Sequence, residues 1–194
     1  MKLILASQSP RRREILSMIT NEFDVIVSDA DEVIENNLSN EDQVKHLAYI
    51  KAKSVFDKTK DIGDRIVIGS DTIVVKNGNI YGKPKDYDDA LRMLKCLKKD
   101  KHQVMTGLCF FIQKDNDITV INDVDIANVY INDISDKELE NWLDTNEAYD
   151  KAGAYAIQGK FSVFIEKIEG NYFTIVGLPI NKVYKVIKNY IKGE

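Results

Sequence analysis

The chain has 194 residues, 44% of them hydrophobic and 30% charged, enough to build an apolar core in one globular domain. A formal charge of −4, from 27 basic and 31 acidic side chains, argues against a long nucleic acid as partner and confines any anion site to a local basic patch. No apolar stretch is long enough to span a membrane, no secretory pattern opens the sequence, and Cys96 and Cys109 fit no metal or redox spacing, so a reduced cytoplasmic protein is expected.

Leu3 to Ala6 read as a strand that hands over to a helix, with Ser9 as N-cap, Pro10 at the first helical position and Ile15, Leu16 and Ile19 as its apolar side. "FDVIVS" (Phe23 to Ser28) reads as a second strand, followed by an acidic loop, "DADEVIENN". A long helix fits "SNEDQVKHLAYIKAKSVFDK", capped by Ser39 or Asn40. "RIVIGSDTIVVKNGNIYGKP" is a strand, an Asn77-Gly78 turn and a short return strand, a strong hairpin pattern. "DYDDALRMLKCLKK" is the next helix, and both cysteines, lying in apolar patterns, are expected in the core.

Two long antiparallel strands follow, joined through Asp115-Asn116-Asp117, then a capped helix in "SDKELENWLDTN". "YDKAGAYAIQGKFSVFIEKIEG" begins as a small-residue loop and ends as a strand. "NYFTIVGLP" reads as a further strand and "PINKVYKVIKNYIKG" as a closing amphipathic helix. Helices interleaved with hairpins argue for an α/β fold with a mixed sheet, its strands largely paired antiparallel and flanked by helices. No repeat or linker divides residues 1–194, so a single domain is expected.

Helix starts favour acidic side chains, yet "SPRRR" puts Arg11, Arg12 and Arg13 there. One or two of them, with free helical N–H groups and the Ser7 and Ser9 hydroxyls, could cradle a phosphate; the alternative is a solvated basic face. Asp71 interrupts an apolar strand and needs a partner if buried. It could hold a divalent cation, act as a base toward water, or simply accept backbone hydrogen bonds. Thr72 follows on the opposite strand face. Lys83, between Gly82 and Pro84, suits either a phosphate contact or an exposed turn. Lys51 and Lys53 diverge on their helix, so at most one faces a site. Glu32 is a second metal carboxylate or a surface acid. Gln158, in "KAGAYAIQG", has the donor and acceptor needed to read a base edge, or lies in a tight packing loop. His46 and His102 form no nucleophile constellation.

Taken in order, "LASQSPRRREIL", "GSDTIVV…GKP", "HQVMTG", "DKAGAYAIQG" and "GNYFTIVGLP" resemble the motifs of the Maf family of nucleotide pyrophosphatases, over nearly the whole chain. The resemblance implies hydrolysis of a nucleoside triphosphate to monophosphate and pyrophosphate, a divalent cation (Mg²⁺ or Mn²⁺), two lobes around a deep nucleotide cleft, and often a homodimer. "DKAGAYAIQG", with "SDT" upstream, is similar to the dTTP/UTP branch rather than the 7-methyl-GTP branch. Carried over residue by residue, Asp71 becomes the proton acceptor, while Arg12, Thr72 and Gln158 tune substrate choice. Ser7, Arg11, Glu32, Lys51 and Lys83 become cleft positions for phosphates or metal, with Glu32 and Asp71 the metal carboxylates and Glu32 and Lys83 joining Asp71 in catalysis. Ser70 stands where the family usually has alanine, and Lys160-Phe161-Ser162 replace a glycine-richer run. A non-catalytic nucleotide-binding regulator of cell division is the alternative from another class.

Overall fold

The structure, a computed structural model, describes residues 1–33 and 37–192. Positions 34–36 of the expected acidic loop and Gly193 of the expected closing helix lie outside the described residues. In chain order the elements are β1 (Lys2–Ala6), α1 (Pro10–Ser17), β2 (Asp24–Val25), α2 (Asn40–Lys58), β3 (Arg65–Lys76), β4 (Asn79–Tyr81), α3 (Tyr87–Leu97), β5 (Asp100–Lys114), β6 (Asp117–Ile131), α4 (Asp136–Leu143), β7 (Ile165–Glu169), α5 (Tyr172–Val176) and α6 (Ile180–Ile187). Two short 3₁₀ turns, Ala152–Ala154 and Gly159–Phe164, precede β7. The strands form one mixed, mostly antiparallel seven-stranded sheet in the order β2-β1-β3-β5-β6-β7, with β4 hairpinned onto β3. Among the described residues no helix is long and apolar enough to cross a membrane.

Local chemistry sets most boundaries. Ser9, Ser39, Asp86 and Ser135 cap their helices with side-chain oxygens, and Ser135 with Glu138 closes a capping box. Both tight hairpins turn on two residues of positive φ, Asn77-Gly78 (50° and 78°) and Asp115-Asn116 (51° and 72°), matching the right-handed strand twist.

The chain divides into two compact units. The first comprises Met1–Asp71, Thr106–Asp125 and Gly177–Glu194. In it β1 pairs in parallel with β2 and β3, and α2 packs Ala48, Ala52, Val55 and Phe56 against Ile4, Val67, Cys109 and Phe111. Gly69 and Gly107 let the helix backbone lie almost on the strands: a Cβ on Gly69 would overlap Ala48 O and come within 2.7 Å of Ala52 Cβ, and one on Gly107 would overlap Val44 O. Arg65, 1% exposed, seals the end of α2 by donating to Phe56 O, Thr59 Oγ1, Ile62 O, Gly63 O and Gln113 Oε1. Its guanidinium lies over the Phe56 ring.

The second unit comprises Thr72–Met105 and Ile126–Val176. Its core joins Leu94 and Leu97 of α3, Trp142 of α4, Val104, Val129 and Ile131 of the sheet, and Tyr155 and Phe161 from the segment before β7.

Three expectations are corrected. "NYFTIVGLP" is not a strand but contains α5: Asn171 Oδ1 and O accept from Phe173 N and Thr174 N, and Gly170 and Gly177 bracket the turn at φ 113° and 116°. Local capping there overrides the β propensity of its aromatic and branched residues. The second strand shrinks to Asp24–Val25, at the sheet edge, with Val25 and Val27 exposed. Cys96 is exposed, because α3 buries Ala90, Met93, Leu94 and Leu97 and turns position 96 outward. Cys109 is buried, which pushes its thiol up to about 12 and leaves it inert.

Candidate active site

The first unit gathers six of the nine residues singled out in the sequence. Asp71, 8% exposed, sits at the end of the buried run of β3, two residues beyond Gly69 and on the same strand face. Because α2 lies so close at Gly69, Lys51 on that helix delivers its ammonium directly to the carboxylate: Nζ lies 2.5 Å from Asp71 Oδ1 and 2.9 Å from Glu32 Oε2. The Lys51 and Asp71 side chains are only 13% and 12% exposed, so the pair is largely desolvated, whereas Glu32 reaches in from the loop after β2 and stays open to solvent. Lys53, two residues on, turns away to a surface pair with Asp57. One lysine of the helix therefore enters the site and the other does not.

The three arginines separate as helical geometry requires. Arg13 is exposed and Arg11 half-buried. Arg12 donates from Nε to Gly177 O at 2.9 Å, with Nη1 3.5 Å from Ser7 Oγ. Arg12 is partly buried, burial lowers its guanidinium pKa, and the fields of Asp71 and Glu32 oppose that shift. Ser7, 7% exposed, also accepts from Ser9 N at 3.1 Å. A partly buried cation, a small hydroxyl and the N-terminus of α1 thus stand together in a unit where two carboxylates share one ammonium. Such a set favours an anion with several oxygens.

The second unit holds the other three. Thr72 is half-buried and follows Asp71 along β3 with the opposite strand facing. Lys83 is exposed in the turn after β4. Gln158 is exposed, in extended backbone (φ −102°, ψ 160°), just ahead of the Gly159–Phe164 turn. His102 is 2% exposed in β5 and shares a 2.6 Å hydrogen bond with Tyr155 Oη.

Three contributors were given no role by the sequence reading: Ser70, Gly69 and Gly177. Ser70 is fully buried and donates from Oγ to Gly177 O at 2.9 Å, so the same carbonyl receives both Ser70 and Arg12. Gly69 was visible as a glycine inside a strand, a sign of close backbone approach. Nothing local marks Gly177 as an acceptor.

A protein 49% identical over 189 residues, covering 97% of this chain and 96% of its own length, is the dTTP/UTP pyrophosphatase of Alkaliphilus oremlandii. The dTTP/UTP pyrophosphatases of Thermoanaerobacter sp. and Clostridium acetobutylicum are each 46% identical, over 97% and 96% of this chain and 96% of their own lengths. A nucleoside-triphosphatase (dITP/XTP pyrophosphatase) structure from Mycobacterium abscessus is a slight likeness, with 17% identity, a TM-score of 0.37, and coverage of 66% of this chain and 74% of its own. The pattern that defines the Maf-like protein family runs through residues 2–190, and with full-length relatives close to half identical, the chain belongs to that family.

Proposed function

We propose that the protein hydrolyses dTTP and UTP to the monophosphate and pyrophosphate. The observation that carries this reading is the desolvated Asp71 carboxylate, held by Lys51 beside the seated head of Arg12. The names of the relatives support the substrate pair.

In the proposed reaction Asp71 orients a water and takes its proton as the water oxygen bonds to the α-phosphorus. The bond from that phosphorus to the bridging α–β oxygen breaks in line, and pyrophosphate leaves with the bonding pair. Arg12, Arg11 and Lys83 meet the phosphate charge, Ser7 donates to a phosphate oxygen, and fixed donors of this kind stabilise charge as it develops. Lys51 holds Asp71 and Glu32 in place. Thr72 and Gln158 select the pyrimidine.

Lys51 draws the Glu32 and Asp71 carboxylates together, and the hard oxygen donors of that pair would suit Mg²⁺ or Mn²⁺. Among the described residues no three His, Cys, Asp or Glu side chains converge as a metal cage, so triphosphate oxygens would complete the shell. A bound divalent cation supplies charge neutralisation and lowers the pKa of an attached water.

Pyrophosphate release from dTTP, UTP, CTP, 7-methyl-GTP and ITP, with and without Mg²⁺ or Mn²⁺, tests the proposal. Metal-dependent turnover confined to dTTP and UTP is the expected result. Preference for 7-methyl-GTP or ITP would keep the chemistry and overturn the base selection, and binding without release would point to a non-catalytic regulator.

A further inference from the structure

One buried polar pair in the second unit has no part in the reaction above. His102, from "HQVMTG", and Tyr155, from "DKAGAYAIQG", meet at 2.6 Å between Nε2 and Oη, with their rings edge to face at 5.2 Å. They are 2% and 5% exposed, and Tyr155 also packs on Phe161. His102 Nδ1 is buried without a hydrogen-bond partner. Whichever ring nitrogen carries the proton, the pair leaves buried polar capacity unmet, which a pair of phenylalanines would avoid. Packing alone does not explain it.

The surroundings do. Tyr155 ends a segment whose two preceding residues, Gly153 and Ala154, have φ of 71° and 59°. For Ala154 that backbone is strained and persists only where neighbours impose it. Three bonds impose it: Trp142 Nε1 donates to Ala154 O at 2.9 Å, Gly153 N donates to Gly82 O at 3.0 Å, and His102 bonds Tyr155 Oη. Gly82 precedes Lys83, and Tyr155 stands three residues before Gln158. The clamp therefore ties the lysine turn to the glutamine segment within one unit.

We infer that His102 and Tyr155 are positioning residues whose hydrogen bond keeps the Gln158 segment and the Lys83 turn in register for the nucleotide. The inference rests on the reading of Gln158 and Lys83 as substrate contacts. A polar bond inside an apolar core is a good register device because a shifted segment forfeits it entirely, whereas apolar contacts re-form after a slip.

The test uses the full-length protein. Tyr155→Phe keeps the ring and removes only Oη; Tyr130→Phe is the control, removing an exposed hydroxyl that bonds Glu169 at 2.8 Å in the same unit. Tyr155→Phe is expected to raise KM for dTTP about tenfold while kcat changes by less than about twofold, and to erode the preference for dTTP over CTP. Amide exchange at 153–158 and at 82–86 should accelerate together, with the rest of the protein unchanged. Tyr130→Phe should do neither. His102→Gln should reproduce the exchange change, and its combination with Tyr155→Phe should be no worse than either alone. A lower unfolding midpoint with KM, nucleotide preference and exchange all unchanged would overturn the inference and leave a structural pair. Absence of pyrophosphate release by the wild type would instead sink the pyrophosphatase reading, while the exchange data would still decide whether the pair joins the two segments.

Discussion

Gly69→Ala should damage stability and activity together. The added Cβ would overlap Ala48 O and lie 2.7 Å from both Ala52 Cβ and Ala52 N, atoms of the helix backbone or its shortest side chain that cannot rotate aside. Ordinary carbon contacts begin at about 3.5 Å, so α2 must back away from β3 by roughly 1 Å. Overpacking of that kind costs about 1–3 kcal/mol, which in a chain of this size lowers the unfolding midpoint by about 2–12 °C. Lys51 rides on the same helix between Ala48 and Ala52, so its 2.5 Å contact with Asp71 stretches by a similar amount. Misplacement by about 1 Å at a reacting group can cost about 100-fold in turnover. The assays are thermal unfolding and pyrophosphate release, with Gly63→Ala as control, since a Cβ there meets nothing within 4 Å. A Gly69→Ala protein with wild-type midpoint and wild-type kcat/KM would show that the close helix seat does not set the Lys51–Asp71 geometry.

Three other outcomes are expected. Asp71→Asn should lose about 10²–10⁴-fold in kcat with an unchanged circular dichroism spectrum, and retained turnover would remove Asp71 from the role of base. Arg65→Met should cost about 1–3 kcal/mol in urea unfolding, because it strands the buried Phe56 carbonyl and removes a donor from the Ile62 and Gly63 carbonyls; no measurable loss would mean that water replaces the guanidinium. Burial lowers the His102 pKa from 6.5 to about 4, Lys76 adding to the effect and Asp100 opposing it. The unfolded chain therefore takes up a proton near pH 6.5 that the folded chain refuses until about pH 4, so stability falls across that interval by about 3 kcal/mol and is unaffected on this account above it. Unfolding of His102→Gln should show a correspondingly shallower acid slope, and identical slopes would refute the assignment.

Features governed by neighbours in sequence were legible: the serine caps, the two-residue turn at Asn77-Gly78, the place of the Asp115-Asn116-Asp117 junction (though Asp117 already belongs to β6), and the long α2 with its apolar side. The α5 segment was not, because side-chain capping by Asn171 and two positive-φ glycines outweigh the strand preference of Tyr172, Phe173 and Ile175. Cys96 misled because the apolar letters around it describe the opposite side of α3. In the site, residue types were legible but partners were not. Nothing in the spacing distinguishes Lys51 from Lys53 until the contact at Gly69 fixes the roll of α2. The Gly177 carbonyl is 165 residues from Arg12 and 107 from Ser70, and His102 is 53 from Tyr155. Separations of that size are properties of the folded chain, and no local pattern encodes them.

The shared acceptor at Gly177 also sets an order of events during synthesis. A ribosome adding about 5–20 residues per second leaves the Ser70 hydroxyl waiting about 5–20 s for its acceptor, and Arg12 longer still. Until then β1, α1 and β3 can pair and collapse, but the arginine head has no carbonyl to dock on and remains hydrated. The nascent chain can thus acquire the bulk of its sheet while its cationic corner is unfinished. The corner around Arg12 and Ser70 is therefore closed only once the α5–α6 junction has been made, whatever the rest of the sheet has already done.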